Sequence, residues 1–131
     1  MKLEHLALNV PDPVAMAEWY CAHLGFTVKR RTEGPPFARF LCEAGGGVML
    51  EIYHNNAVEP PDYGAMNKLT IHLAFQSDDV EADRAKLLAA GAKAEGGIDR
   101  DPNGDLITML RDPWGVCIQI VKRTEPMITG L

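Results

Sequence analysis

The chain has 131 residues, of which 47% are hydrophobic and 24% charged, and its formal net charge is −5. That length supports one compact domain with a real core, spanning residues 1–131, and the composition is that of a soluble globular protein rather than a disordered or fibrous one. The acidic balance speaks against nucleic acid, whose phosphates need a basic surface, and against an anionic membrane; no apolar run approaches the roughly 20 residues that span a bilayer.

In chain order, Leu3 to Val10 alternates as a strand does, with Leu6, Leu8 and Val10 on one face and His5, Ala7 and Asn9 on the other. Asp12 followed by Pro13 reads as an N-cap and a first helical residue. Val14, Ala17, Trp19, Tyr20 and Leu24 then recur at helical spacing up to Gly25, a helix stop. Three strands are expected at about 26–32, 37–43 and 47–54, the last two joined by Gly45-Gly46-Gly47. After a turn-rich linker from Asn55 to Lys68 the order begins again. Leu69 to Gln76 alternates, Asp78 or Asp79 can cap a helix through Val80, Ala82, Ala85, Leu87 and Leu88, and Gly91 ends it. Strands follow at about 93–98, 105–111 and 115–122, with turns at Pro102-Asn103-Gly104-Asp105 and Asp112-Pro113-Trp114-Gly115. The tail from Arg123 to Leu131 reads as mobile, or as a cover for a neighbouring subunit.

The chain therefore contains itself twice, as an α+β arrangement of two βαβββ modules at about 1–55 and 68–122. His5-Leu6-Ala7-Leu8-Asn9 aligns with His72-Leu73-Ala74-Phe75-Gln76, and Gly47-Val48-Met49-Leu50-Glu51-Ile52 aligns with Gly115-Val116-Cys117-Ile118-Gln119-Ile120. Cys21, Cys42 and Cys117 are odd in number and lack paired spacing, so they read as free thiols in a reducing compartment, the cytoplasm. The start, Met1 to His5, has no apolar stretch of the signal-peptide kind.

Each module offers a histidine from its first strand and an oxygen donor from its last. Strand parity puts Val48, Leu50 and Ile52 toward a helix and Met49, Glu51 and Tyr53 opposite; Val116, Ile118 and Ile120 match the first set, and Cys117, Gln119 and Val121 the second. A carboxylate bracketed by Met49 and Tyr53 needs a partner, because burying it unpaired is costly. Two imidazoles, a carboxylate and an amide oxygen from His5, His72, Glu51 and Gln119 suit a divalent Zn, Ni, Co, Mn or Fe ion. Each residue alone has an ordinary alternative: a satisfied strand histidine, an edge charge, an exposed amide. Their registry across the duplication favours the metal. His23 and His54 fall outside that registry, and His23 suits a helix C-terminus. Parity also makes Asn9, Tyr53, Arg39 and Met109 candidates for lining a pocket, with packing or surface as their ordinary alternative.

The phrases at His5 to Val10, at Trp19-Tyr20 with Leu24-Gly25-Phe26, and at Asp112 to Ile120 resemble the vicinal-oxygen-chelate superfamily. That superfamily includes glyoxalase I, methylmalonyl-CoA epimerase, extradiol dioxygenases and the fosfomycin- and bleomycin-resistance proteins. The resemblance covers His5 to about Lys122 and implies a glyoxalase-like fold, a curved mixed sheet around a central cavity. It implies metal ligands at His5, Glu51, His72 and Gln119, and a homodimer that takes a small-molecule substrate. Gln119 departs from the family's usual glutamate and cannot act as a base, so proton transfer falls to Glu51. The family's glutathione-binding arginine position holds Asn9, whereas its asparagine four residues after the first-module glutamate is kept as Asn55. The first expectation is a lyase or isomerase working through a metal-stabilised enediolate. The rivals are a non-haem iron extradiol-type dioxygenase and a metal-free drug-binding protein.

Overall fold

The computed structural model describes residues 1–127; the last four residues, and with them the end of the expected tail and of the 1–131 domain, lie outside the described residues. The chain separates into two units, Met1–Pro61 and the part from Asp62 onward.

In the first unit the elements are β1 (His5–Asn9), α1 (Pro13–His23), β2 (Thr27–Arg31), β3 (Arg39–Cys42) and β4 (Met49–Tyr53). The Asp12 carboxylate accepts a hydrogen bond from the Ala15 amide at 3.0 Å, and Pro13 opens the helix, so α1 starts where one free amide is capped and another is missing. The strands form one sheet in the order β1-β4-β3-β2, with β1 parallel to β4 and the other pairs antiparallel. Leu8, Val10, Leu41, Leu50 and Ile52 are buried with Met16, Ala17 and Tyr20 of α1, which makes the core of this unit.

The second unit repeats the scheme. A short 3-10 helix (Tyr63–Ala65) precedes β5 (Leu73–Gln76), α2 (Val80–Ala89), β6 (Lys93–Arg100), β7 (Leu106–Arg111) and β8 (Cys117–Lys122). The Asp79 carboxylate caps α2 at the Ala82 amide, 3.0 Å away, and Glu81 and Asp83 place negative charge in its first turn. The sheet order is β5-β8-β7-β6, again with the first pair parallel. Val80 and Leu87 are buried with Leu110, Val116, Ile118 and Ile120. The register shifts between Val28 and Arg30 in β2 and between Ala94 and Ile98 in β6, so the second strand of both sheets is irregular. The fold is thus α+β with two four-stranded mixed sheets, neither closed.

Several expectations are corrected. The strand expected from Leu69 begins only at Leu73. The Asn67 side chain accepts from the Leu69 amide at 2.9 Å and its carbonyl from the Thr70 amide, so the chain turns there before it can extend. Val48, expected on the helix-facing side, lies ahead of β4 and is 45% exposed. On the face of β8 opposite Val116, Ile118 and Ile120, Cys117 and Val121 are buried and Gln119 keeps part of its surface. Met16, absent from the expected helical stripe, is fully buried, whereas Val14 and Trp19 are half-buried. Among the described residues no helix is long and apolar enough to cross a membrane.

Candidate metal centre

In the first unit, the parallel register sets Ala7 opposite Glu51 and His5 opposite Met49. His5 and Glu51 therefore stand on the same face, a step apart along neighbouring strands. The His5 Nε2 lies 3.3 Å from Glu51 Oε2, and only 19% of the Glu51 side chain is exposed. The partner that a shielded carboxylate requires is this imidazole. On its other side, His5 Nδ1 lies 2.8 Å from Glu4 Oε2. The Phe40 ring meets the imidazole edge-on at 5.5 Å, and Phe40 is itself the cross-strand neighbour of Glu51.

The second unit repeats that register from Leu73 onward. Ala74 stands opposite Gln119, and the ladder begins at Leu73 opposite Ile118, one residue after His72. His72 thus comes from the turn leading into β5 rather than from the strand itself, and its side chain is exposed. Its Nδ1 lies 3.2 Å from the Lys68 carbonyl oxygen. Gln119 is half-buried in the middle of β8, between Ala74 and Met109.

Both histidines have Nδ1 facing an atom that can only accept, a carboxylate in one case and a carbonyl in the other. For a neutral His72 that arrangement puts the hydrogen on Nδ1 and leaves the lone pair on Nε2; His5 has a carboxylate at each nitrogen, and the shorter contact, 2.8 Å at Nδ1 against 3.3 Å at Nε2, favours the same form, in which histidine can ligate metal. Ligands at adjacent positions around a metal with bonds of about 2.0–2.2 Å stand roughly 3.0–3.5 Å apart, so the separation of His5 Nε2 from Glu51 Oε2 suits two donors to one ion. Only the first unit shows two candidate donors at that spacing, and among the described residues no group of three or more His, Cys, Asp and Glu side chains is placed to hold a metal. The donor chemistry, imidazole with carboxylate and imidazole with amide oxygen, fits a divalent first-row ion.

The other residues singled out from the sequence are engaged locally. Asn9 donates from Nδ2 to the Val58 carbonyl at 2.9 Å and to that of Asn55 at 3.3 Å, and its Oδ1 accepts from the Asn55 amide. Asn55 Oδ1 accepts from the Ala57 amide, so this pair folds the segment after β4 against the end of β1. Tyr53 is half-buried next to it in sequence. Arg39 is buried and donates to the carbonyls of Thr32, Phe37 and Ala38, and Met109 is buried. His54 Nδ1 lies 2.8 Å from the Val10 carbonyl oxygen, and His23 occupies the last turn of α1 beside the Trp19 ring. Of the cysteines, Cys117 is buried and burial pushes its thiol up, as it does that of Cys21; a thiol held protonated is a poor ligand.

Two contributors escaped the sequence reading. Glu4 is hidden by alternation, which assigns it to the face opposite His5, although a long side chain can turn back to its neighbour. Arg111 is the other. Its guanidinium donates to the carbonyls of Tyr63, Met66 and Gly115 and pairs with Glu95 at 2.7 Å, which ties the segment leading to His72 onto β7. That hydrogen bond holds the Glu95 carboxyl below its ordinary range and raises Arg111. An arginine at the end of an apolar strand is the only signal the sequence offers for it.

Comparison with solved structures finds the same architecture. The structure of SMU.1112c superposes with a TM-score of 0.73 at 29% identity, covering 93% of this chain and 98% of that one. A glyoxalase I mutant from Zea mays gives 0.75 at 22%, over 95% of this chain but 46% of its own. TnmS3, an antibiotic binding protein from a Streptomyces species, gives 0.70 at 20%, over 95% and 97%. A sequence search among curated proteins finds no match. The family model of the Glyoxalase/Bleomycin resistance protein/Dioxygenase superfamily matches residues 2–120, and the chain belongs to that superfamily.

Proposed function

We propose that this protein is a divalent-metal-dependent lyase or isomerase acting on a small molecule with two adjacent oxygens, with Glu51 as both ligand and proton-transfer base. The observation that carries the reading is the first unit's pair, His5 Nε2 at 3.3 Å from Glu51 Oε2, together with the matching register that puts Gln119 of the second unit at the position of Glu51. His5, Glu51, His72 and Gln119 would hold the ion. When bound, it would supply a positive charge able to stabilise negative charge developing on two adjacent substrate oxygens.

The rest falls to this chain. Of the four donors only Glu51 can take a proton at neutral pH and give it back; Gln119 is neutral and both imidazoles are committed as ligands. The shielding of Glu51 raises the strength of its electrostatic interactions relative to a carboxylate in water. Asn9, Tyr53 and Asn55 are the residues we assign to the substrate's edge, with the Asn9–Asn55 clamp setting where that edge lies. The free cysteines accord with a reducing compartment, and we place the protein in the cytoplasm as a homodimer.

Elemental analysis of the purified protein, with chelation and add-back, tests the reading. The expected result is about one divalent ion per chain, retained at neutral pH and lost in both His5→Ala and His72→Ala. Iron, with oxygen uptake on a catechol, would replace the lyase by the dioxygenase that two histidines and a carboxylate also permit. No metal under any loading condition would sink the enzyme and leave a ligand-binding module, as TnmS3, an antibiotic binding protein, is.

A further inference from the structure

We propose that Glu4 is a positioning residue: its carboxylate fixes the His5 imidazole in the Nδ1–H form and makes His5 the stronger of the two histidine ligands. The inference rests on the metal reading above and extends it to a residue outside the ligand set. Glu4 Oε2 sits 2.8 Å from His5 Nδ1, while Nε2 of the same ring points to Glu51. The imidazole is thus held between two carboxylates, one on each nitrogen. A half-turn of the ring would put Cδ2 toward Glu4 and Cε1 toward Glu51; the bond at Nδ1 to Glu4 opposes that turn and keeps Nε2 on the Glu51 side.

Glu4 is 71% exposed, and an exposed ion pair by itself contributes little. What distinguishes it is the backbone beneath. The Glu4 carbonyl accepts from the Met49 amide at 2.8 Å, so the residue is bonded to β4 just ahead of the β1 ladder, and its side chain swings from a fixed base. The ring is confined as well, by the edge-on Phe40 contact. With both ends fixed, the hydrogen bond costs less ordering than an ordinary surface pair.

The other half-site solves the same problem differently. His72 Nδ1 faces the neutral Lys68 carbonyl, in a turn organised by the Asn67 side chain. A carbonyl fixes the tautomer but adds no net charge, whereas an ionised carboxylate pushes electron density through the ring toward Nε2. The two half-sites are therefore unequal. His5 with Glu4 and Glu51 carries two carboxylates; His72 with Gln119 carries none. The first half is the one that captures and retains a dication.

Two readouts on the full chain test this. In the metal-free protein at alkaline pH, where imidazoles are neutral, nitrogen NMR should find His5 mostly as the Nδ1–H form. Glu4→Ala should move it toward Nε2–H, while Glu4→Gln, whose amide oxygen can still accept, should largely keep it. Zinc affinity by competition with a chromophoric chelator should fall roughly 10- to 100-fold in Glu4→Ala and by an intermediate factor in Glu4→Gln. Because Glu4 is exposed, both variants should melt as the parent does. An unchanged tautomer together with zinc affinity within about twofold of the parent overturns the inference. A parent protein that binds no zinc, in which Glu4→Ala still shifts the tautomer, sinks the metal reading while leaving the hold of Glu4 on His5 intact.

Discussion

Glu51→Gln is expected to keep the metal and lose the reaction. Glutamine offers an amide oxygen in place of the carboxylate, and Gln119 stands at the equivalent register position in the second unit, where the proposed ligand set already uses that donor. What glutamine cannot do is take a proton. Exchange of the substrate's α-hydrogen with solvent deuterium, followed on whichever α-hydroxy-carbonyl compound the parent turns over, should slow by about 100- to 10,000-fold. With excess metal supplied, metal content should remain near that of the parent, although affinity falls because a charged ligand has become neutral.

The contrast with His5→Ala makes the assignment specific. Removing the imidazole leaves Glu51 half-buried without its neighbour at 3.3 Å, and metal and activity should fall together. In Glu51→Gln they should separate. Introducing Gln119→Glu into the Glu51→Gln background restores a set of two imidazoles, one carboxylate and one amide. A gain of tenfold or more over Glu51→Gln alone would show that the carboxylate's chemistry is what matters. Full turnover in Glu51→Gln would remove Glu51 from the proton-transfer role and leave it as a ligand only.

How far the sequence could be read follows from which contacts it repeats. The duplication was legible because the same phrases recur around His5 and His72 and around Glu51 and Gln119. Strand parity then sufficed to put His5 and Glu51 on one face, since in the parallel β1–β4 pair side chains alternate in step. Parity failed wherever a side chain or a turn broke the alternation. Asn67 bends the chain at Leu69, so His72 precedes its strand. Val48, which parity assigns to the helix-facing side, lies ahead of its strand and stays exposed, because covering depends on the rest of the fold. Glu4 reaches around to its own neighbour, a choice of rotamer rather than of pattern. Arg111 gathers the carbonyls of Tyr63 and Met66 from more than forty residues away, and no local window holds both ends of such contacts.

The second large effect is expected at Gly115. Its φ is +87°, and a Cβ there would stand 2.6 Å from the Gly64 amide nitrogen and 2.8 Å from the Gly64 Cα. Both are backbone atoms and cannot rotate away. Gly115→Ala must therefore lift the 3-10 turn at Tyr63–Ala65 off the β7–β8 hairpin or strain its own backbone. The same place is where Arg111 binds the carbonyls of Tyr63, Met66 and Gly115, so displacement also weakens three hydrogen bonds to a buried cation. Together these should cost about 3 kcal/mol, a fall in Tm of roughly 10 °C by calorimetry. Gly46→Ala is the control: φ is +71°, nothing lies within 4 Å, and the loss should be only about 1 kcal/mol. The functional consequence follows from chain connectivity. The turn that Gly115 secures runs on through Lys68, whose carbonyl holds His72 Nδ1, so Gly115→Ala should weaken metal binding below its melting range, and Gly46→Ala should not. Equal metal affinity in the two alanine variants would mean that His72 is oriented independently of the segment packed against Gly115.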